Sequence, residues 1–367
     1  MYNFEYIKKT FPNVEKELEN TPQDKYWHAE GNVSIHTEMV LKELHSCPFY
    51  LKLDQNSQKI LSYAAFFHDH GKPDTTIFED GHTRSPNHSQ VGAKKTRNLL
   101  YNLGYDFAFR ESVATLIRYH GYPIHFYKHE EKESIRVSLQ VNNELLYILA
   151  KADIKGRITD PKENEETLMN VDYFKEICEK LECFKTPKHF ESNKQRVHFL
   201  KTGILYLPFE DQTKSTVYLM SAIPRAGKDT YIKENFPELE VISLDNLRKK
   251  YKYKNGDKKG LGRIVQEAKK TAKEYMAKGI DFVWNATNTS LAMRTSLISL
   301  FQEYKATVNI IYIERDIKDI LRDNNSCEDS EYVPEKYIKD LFKGIDIPDI
   351  SEADTIKYII NGEENVK

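Results

Sequence analysis

The apolar residues of this chain change their period part-way along, and that change limits what it can fold into. From about residue 25 to 185 they recur at helical spacing, in segments such as SIHTEMVLKELH, SQKILSYAAFFHDHG, QVGAKKTRNLLYNLG, ESVATLIRYHG and NELLYILAKADIKGR. Gly, Pro or Asn punctuates the end of each segment, as expected of amphipathic helices. From Ser215 the pattern becomes short runs of β-branched and aromatic residues, STVYLMSA, ELEVISL, IDFVWNA, TVNIIYI and TIKYII, separated by helical stretches. Alternation of that kind specifies βαβ units and a parallel sheet. Two domains are expected: an all-α helical domain over 1–185 and an α/β domain over 215–367. The stretch 186–214, which holds Pro187 and Pro208, reads as the linker. With 367 residues, each half is long enough to bury its own core.

Composition removes several classes of protein. The longest apolar runs, such as Val308 to Ile313 broken by Asn309, fall far short of the ~20 residues of a membrane span. The opening MYNFEYIKKTFPNVEKELEN lacks the apolar segment of a secretory signal. Four scattered cysteines (Cys47, Cys178, Cys183 and Cys327) form no CxxC pair, so neither a disulfide framework nor a cysteine zinc site is expected. The expectation is a cytoplasmic protein with no membrane partner. A net charge of -2 means that any nucleic-acid contact must come from a local patch.

Ten of the twelve histidines lie at or before His129. The pair His68-Asp69, inside HDHGKP, ends a helix whose apolar stripe is Ile60, Ala64 and Phe67. Upstream, His36 shares a helical face with Val40, Glu43 and Leu44; downstream, Asp153 follows Leu146, Leu149 and Ala150 on an otherwise apolar face. Burying an unpaired carboxylate there would cost several kcal/mol, so a metal ion is the economical partner. Three helices would then bring His36, His68 with Asp69, and Asp153 to one divalent site with open positions for water. His88 opens a helix and His120 closes another, so both are placed to hold a second ion bridged to the first by Asp69. Two ions ~3.5–4 Å apart activate a water and clamp a phosphate oxygen at once. His45, His70, His82, His129, His189 and His198 read as structural, and His125, just past His120, stays open between a rim role and a structural one.

This ordered set, with Gly71-Lys72 after the HD pair, resembles the HD superfamily of metal-dependent phosphohydrolases over about residues 25 to 170. The resemblance implies hydrolysis of phosphate esters by metal-activated water, with one or two divalent transition metals (Mn, Ni, Co, Fe or Zn). It makes Asp69 catalytic and sets Lys72 beside the substrate phosphate. A solvated lysine is the equal alternative for Lys72.

In the second half, STVYLMSAIPRAGKDTYIKENF reads strand, loop, helix. The loop from Ala222 to Thr230 has the length of a Walker A motif. Gly227 lets backbone N–H groups face phosphates at a helix N-terminus, and Lys228 reaches the β and γ phosphates. Pro224, Arg225, Ala226, Gly227, Lys228, Asp229 and Thr230 would thus hold ATP or another NTP with Mg²⁺. Ala222 stands where the first glycine is usual, and Asp229 where Ser/Thr holds magnesium. Asp245 lies just past a strand end with Arg248 three residues on, suited to deprotonate an acceptor hydroxyl and to hold its phosphate. An N-cap role for Asp245 is the even alternative. Asn285, Thr287 and Asn288, then Arg294, would line the same crevice. Between Arg248 and Lys273 stand eleven Lys/Arg against Asp257 and Glu267, with Tyr251 and Tyr253 interleaved. That composition suits single-stranded nucleic acid, or else a solvated face.

Together AIPRAGKDTY, ISLDNLR and FVWNATNTSLAMR resemble the P-loop polynucleotide 5′-kinases over about residues 215 to 345. The whole chain is similar to the HD domain–polynucleotide kinases, two-headed end-healing enzymes. That resemblance implies transfer of an NTP γ-phosphate to 5′-OH ends and removal of 2′-phosphate, 3′-phosphate or 2′,3′-cyclic phosphate ends. It implies RNA or DNA ends as partners, with a ligase acting downstream. It makes Lys228 and Asp229 holders of the donor phosphates and metal, Asp245 the general base, and Arg248 an acceptor contact. One departure stands out: those kinases carry lid arginines shortly before a Val-Pro, whereas LRDNNSCEDSEYVP is acidic there. Arg322 and Arg315 remain nearby, and Arg225 or Arg294 are the residues to borrow. Rival readings are a small-molecule kinase beside a nucleotide hydrolase, and a P-loop domain that only senses nucleotide.

Overall fold

Capping side chains set where the helices of the first half begin. In the computed structural model, which describes residues 2–205, 211–253, 258–327 and 332–366, Asn32, Asp54, Asp106 and Asn142 each accept backbone N–H groups. Each such cap contributes about 1 kcal/mol. They open the helices Val33–Ser46, Gln55–Phe67, Phe107–Tyr119 and Asn143–Lys155. Ile60, Ala64 and Phe67 of one stripe, and Leu146, Leu149 and Ala150 of another, are buried as their spacing predicts. Helices Val33–Ser46, Gln55–Phe67 and Asn143–Lys155 pack on one another, while His88–Asn102 lies along Phe107–Tyr119.

A close backbone approach fixes how His88–Asn102 sits against the HD turn. A Cβ on Gly71 would lie 2.0 Å from the His88 carbonyl oxygen and 2.6 Å from the Gly92 nitrogen. Only a residue without a side chain fits there, so Gly71 is required by contact rather than by conformation.

One element departs from the helical expectation. Strands β1 (Ile77–Glu79) and β2 (His82–Arg84) form an antiparallel hairpin, turned at Asp80 and Gly81 with φ of 52° and 80°. Asp-Gly is a strong two-residue hairpin signal, and it stands in the sequence.

The chain divides into two compact units, Met1–His189 and Phe190–Val366. The stretch expected as linker therefore supplies structure to the second unit. Helix Asn193–Thr202 docks there through Arg196, whose Nη2 donates to the carbonyls of Ala353 and Asp354, and Lys194, which pairs with Asp354 at 2.9 Å. Two of the segment's charges, Lys194 and Arg196, are spent on these contacts.

Strands β3 (Ser215–Ser221), β4 (Glu240–Ser243), β5 (Phe282–Asn285), β6 (Ala306–Glu314), β7 (Thr355–Ile360) and β8 (Glu363–Asn365) form one sheet in the order β4-β5-β3-β6-β7-β8. All pairings are parallel except β7–β8, a terminal hairpin through Asn361 and Gly362. Val217, Leu219, Phe282, Trp284, Val308 and Ile310 meet Ala268, Ala272 and Met276 of helix Lys258–Ala277 and Phe301 of Leu291–Glu303. Central β3 thus delivers its carboxyl end to the point where open α/β sheets bind ligands.

The Gly71 contact makes a prediction. Gly71→Ala should lower stability by about 1–3 kcal/mol and displace His88, read as a lower Tm and reduced metal content. Gly262→Ala, with open space around its Cβ, should be neutral or slightly stabilising.

Candidate functional site

Helix ends deliver most of the residues proposed as metal ligands. His68 and Asp69 follow Phe67, His88 is the first residue of its helix and His120 follows Tyr119. His36 lies in the first turn of Val33–Ser46, and Asp153 in the last turn of Asn143–Lys155. The six converge on one buried spot. His36 Nε2 is 3.1 Å from Asp153 Oδ1 and 3.3 Å from His68 Nε2. His88 Nε2 is 3.3 Å from His120 Nε2 and 3.5 Å from Asp69 Oδ1. The other Asp69 oxygen, Oδ2, lies 3.3 Å from His68 Nε2. His36, His68 and Asp153 form one trio able to hold a cation, and Asp69, His88 and His120 a second.

The outer nitrogens of these rings decide what the inner ones present. Nδ1 of His68, His88 and His120 each donates at 2.8 Å to the carbonyl three residues before it (Ala65, Ser85 and Ile117). His36 Nδ1 donates to Gly156 O at 3.1 Å. Committed donors at Nδ1 fix the tautomer that aims an Nε2 lone pair inward, as metal-binding imidazoles require. Burial, then the neighbouring His88 and His68, holds His120 down at about 4, so at neutral pH it offers a lone pair. Two such nitrogens face each other in the His88–His120 pair, an arrangement that a cation satisfies and that neutral rings alone do not. Burial opposes charge on His36, but hydrogen bonds to Asp153 and Glu30 outweigh it and lift the group to about 9, so without a cation its Nε2 holds a proton shared with Asp153, and a metal would take that proton's place. Asp153 and Asp69 stay ionised: burial works against them, and the facing histidines, with Lys72 for Asp69, hold both below the usual carboxylate range. A buried carboxylate–imidazole set of this kind fits divalent transition metals.

Lys72 is not a solvated lysine. Its Nζ sits 2.7 Å from Asp69 Oδ2 and donates to Gln23 Oε1 at 2.7 Å. His70 is structural, buried against Thr96 Oγ1 at 2.8 Å. The loop before the first ligand contributes residues that spacing did not reveal. Glu30 Oε1 lies 3.2 Å from His36 Nδ1 and 2.8 Å from His28 Nδ1, while its Oε2 accepts from Ile158 N at 2.8 Å.

In the second unit, Arg225 and Gly227 take positive φ (65° and 101°), which curls the loop over the start of helix Lys228–Asn235. Lys228 is buried and donates to Ile223 O at 3.0 Å. Burial lowers its pKa, while the nearby charges of Asp229 and Asp245 raise it. Asp229 Oδ1 accepts from Asn285 Nδ2 at 2.6 Å. Ala222, in place of a first glycine, is fully buried with its N–H bonded to Thr287 O. Pro224 is half-buried, Ala226 buried and Thr230 exposed. The N-cap alternative for Asp245 fails, because Ser243 caps that helix by accepting from Asn246 N. Asp245 is instead an exposed first-turn residue paired with Arg248 Nη1 at 2.7 Å.

Two residues expected in the substrate crevice have their polar groups committed within the protein. Asn288 is buried, with its Nδ2 donating to Met220 O at 2.7 Å. Arg294 is fully buried and forks onto Glu352 at 2.6 and 2.9 Å. Asn288 is thus tied to the end of β3, and Arg294 spends its guanidinium on Glu352 and the Asn288 carbonyl. Of the arginines considered for the missing lid, Arg322 is largely exposed and tied to Asp319 and Asp323. Arg315 lies on the phosphate loop, its Nη1 donating to Arg225 O at 3.3 Å and its Nη2 to Asp323 at 2.8 Å. The acidic residues Glu328 to Glu331 lie outside the described residues.

Both sites fall inside known families. Residues 33–153 match the HD domain family and residues 219–344 an AAA domain family. No curated protein matches the chain. Among solved structures, one described as "a putative kinase" from Chloroflexus aurantiacus j-10-fl is similar at 13% identity and a TM-score of 0.34. The match covers 40% of this chain and 89% of that one. The chain thus carries an HD domain over residues 33–153, followed by an α/β domain with a phosphate loop that matches the AAA family over residues 219–344. Among the described residues no helix is long and apolar enough to cross a membrane.

Two predictions follow from this geometry. Asp69→Ala should strip metal from both trios and Asp153→Asn chiefly from the first, measured as metal bound per chain after gel filtration. Arg294→Met leaves Glu352 buried without its partner and should cost about 3–5 kcal/mol in denaturant unfolding, with nucleotide affinity of the folded protein kept.

Proposed function

We propose that the chain heals nucleic-acid ends. The HD domain hydrolyses 2′-phosphate, 3′-phosphate or 2′,3′-cyclic phosphate termini, and the P-loop domain phosphorylates 5′-OH termini from an NTP with Mg²⁺. The observation that carries this reading is the coexistence in one chain of two Asp69-linked ligand trios and a phosphate loop beside the Asp245–Arg248 pair.

At the HD site, bound divalent cations supply Lewis acidity and lower the pKa of a coordinated water. The side chains do the rest. Asp69 ties the two trios, Lys72 offers a cationic donor next to Asp69, and the carbonyl-anchored imidazoles hold their nitrogens in place. In the P-loop domain, Lys228 and the loop N–H groups hold the donor phosphates. Asp245 is exposed at the crevice, where it takes the proton of an acceptor hydroxyl. Arg248 steadies the acid now and an acceptor phosphate when one arrives. Arg315, already against the loop, is the arginine placed to face the transferring phosphoryl group.

The nucleic-acid part of the reading is supported by helix Lys258–Ala277 and its approach. Lys259, Arg263 and Lys270 line an open cleft of about 660 Å³, and the Tyr251 and Tyr253 rings lie 6.3 Å apart on the segment before it. Cationic side chains with aromatics suit a single strand's phosphates and bases. Lys254 to Asp257 of the same basic run lie outside the described residues.

The test uses 5′-OH and 3′-phosphate oligonucleotides with ATP, magnesium and a transition metal. Asp245→Ala should lower 5′ phosphorylation by about 10²-fold or more with nucleotide binding retained, and Lys228→Ala should abolish it. Asp69→Ala should abolish 3′-end dephosphorylation. Wild-type protein inert on both ends would refute the proposal.

A further inference from the structure

The segment from Thr21 to Asn32 has no regular structure of its own, yet it is pinned on every side. A bridge between Pro22 and Asn32 closes its base. Gln23 receives Lys72, Asp24 accepts from Thr83 N at 3.1 Å, and Thr159 Oγ1 donates to Tyr26 O at 2.6 Å. His28 and Glu30 reach His36, whose ring centroid is 4.7 Å from that of His28. A loop so anchored over a metal trio nonetheless presents two aromatics to solvent. Trp27 is 39% exposed and Tyr26 53%, with their rings edge to face at 4.8 Å.

Arg157 links this aromatic pair to the trio. It follows Gly156, whose carbonyl accepts from His36 Nδ1, and its guanidinium lies 5.6 Å from the Trp27 ring. Nε and Nη2 are anchored on Asn164 and Thr167 at 2.8 and 3.2 Å, whereas Nη1 makes no hydrogen bond within the described residues. Arg157 feels the charges of Asp153 and Glu30, on either side of His36, and of Glu163. The arrangement runs from exposed indole to half-bonded guanidinium to metal trio. A flat π face, then an anion donor, then the hydrolytic centre is the order of groups in a nucleoside phosphate.

We propose that Trp27, flanked by Tyr26, is the nucleobase platform of the HD site and that Arg157 guides the attached phosphate toward the two trios. The substrate is then a nucleoside phosphate, as a free nucleotide or as a chain end, rather than a bare phosphomonoester. The proposal rests on the end-healing reading only for the choice of a nucleoside.

The test compares the metal-loaded full chain with Trp27→Ala, Trp27→Phe and Arg157→Ala on three substrates. These are p-nitrophenyl phosphate, adenosine 3′-monophosphate and a 3′-phosphate oligonucleotide. Selectivity for the nucleoside substrates over p-nitrophenyl phosphate, as a ratio of kcat/KM, should fall about tenfold in Trp27→Ala and recover largely in Trp27→Phe. Arg157→Ala should raise KM for both nucleoside substrates. A penalty seen with the mononucleotide supports a base platform open to free nucleotides; one confined to the oligonucleotide supports it for chain ends. Unchanged selectivity in Trp27→Ala overturns it. A second readout does not need turnover. The chain has two tryptophans and Trp284 is buried in the other unit. Adenosine 3′-monophosphate should therefore quench the fluorescence of Trp27, inorganic phosphate should not, and Trp27→Phe should lose the response. If the wild type hydrolyses only p-nitrophenyl phosphate, the end-healing reading falls, and the quenching arm alone upholds or overturns the platform.

Discussion

The first half of the molecule is organised around a carboxylate that has no water to rely on. Asp69 is almost completely buried, and its two oxygens face different histidines, Oδ2 toward His68 and Oδ1 toward His88. Lys72 pairs with it at 2.7 Å, and the rest of what keeps it there is backbone geometry. The rings around it are oriented by carbonyls one helical turn back, so a shift of a helix end rotates an imidazole as well as moving it. The Gly71–His88 approach is part of the same constraint, since it sets the distance between the helix ends that carry the two trios. Stability and chemistry are therefore not separable here. The packing that buries Asp69 is also what aims the nitrogens.

What could be read from the sequence followed from periodicity. A polar side chain on an apolar helical face, as at Asp153, or at the end of an apolar stripe, as at His68 and Asp69, announces a buried polar group, and His36 stands on a face with Val40 and Leu44. The strands after Ser215 announced themselves by β-branched runs and the phosphate loop by its length. Loop residues carry no period. Glu30 supports His36 through a segment whose course depends on contacts with Lys72, Thr83 and Thr159, residues far apart in the chain. No spacing rule connects them. The hairpin at Asp80-Gly81 is a different case, because its turn signal was present but lay between strong helical patterns.

Arg294 shows the opposite failure. It stands after a strand end at the distance where ligand-binding residues are common, and position alone suggested a substrate contact. Its partner Glu352 is remote in sequence, and only the fold shows that the two neutralise each other beneath the surface. Arg196 and Lys194 repeat the lesson: charges in the stretch expected as linker bind the carbonyls and carboxylate around Asp354. A charged residue's role depends on whether its counter-charge is buried with it, and sequence does not give the pairing.

That same distinction selects the arginine for the proposed phosphoryl transfer. Arg294 can turn toward a nucleotide only by abandoning a buried carboxylate, and breaking such a pair costs about 3–5 kcal/mol. Arg315 is held by Asp323, whose side chain is 40% exposed. An exposed pair contributes only about 0–1 kcal/mol, so exchanging that carboxylate for a phosphate oxygen is nearly free. Arg315 also sits at the end of β6, already in contact with the phosphate-loop backbone at Arg225. An arginine fixed at a strand end needs no lid to bring it in. The acidic stretch before Val333-Pro334 then removes the lid arginines without removing the positive charge that the transferring group requires.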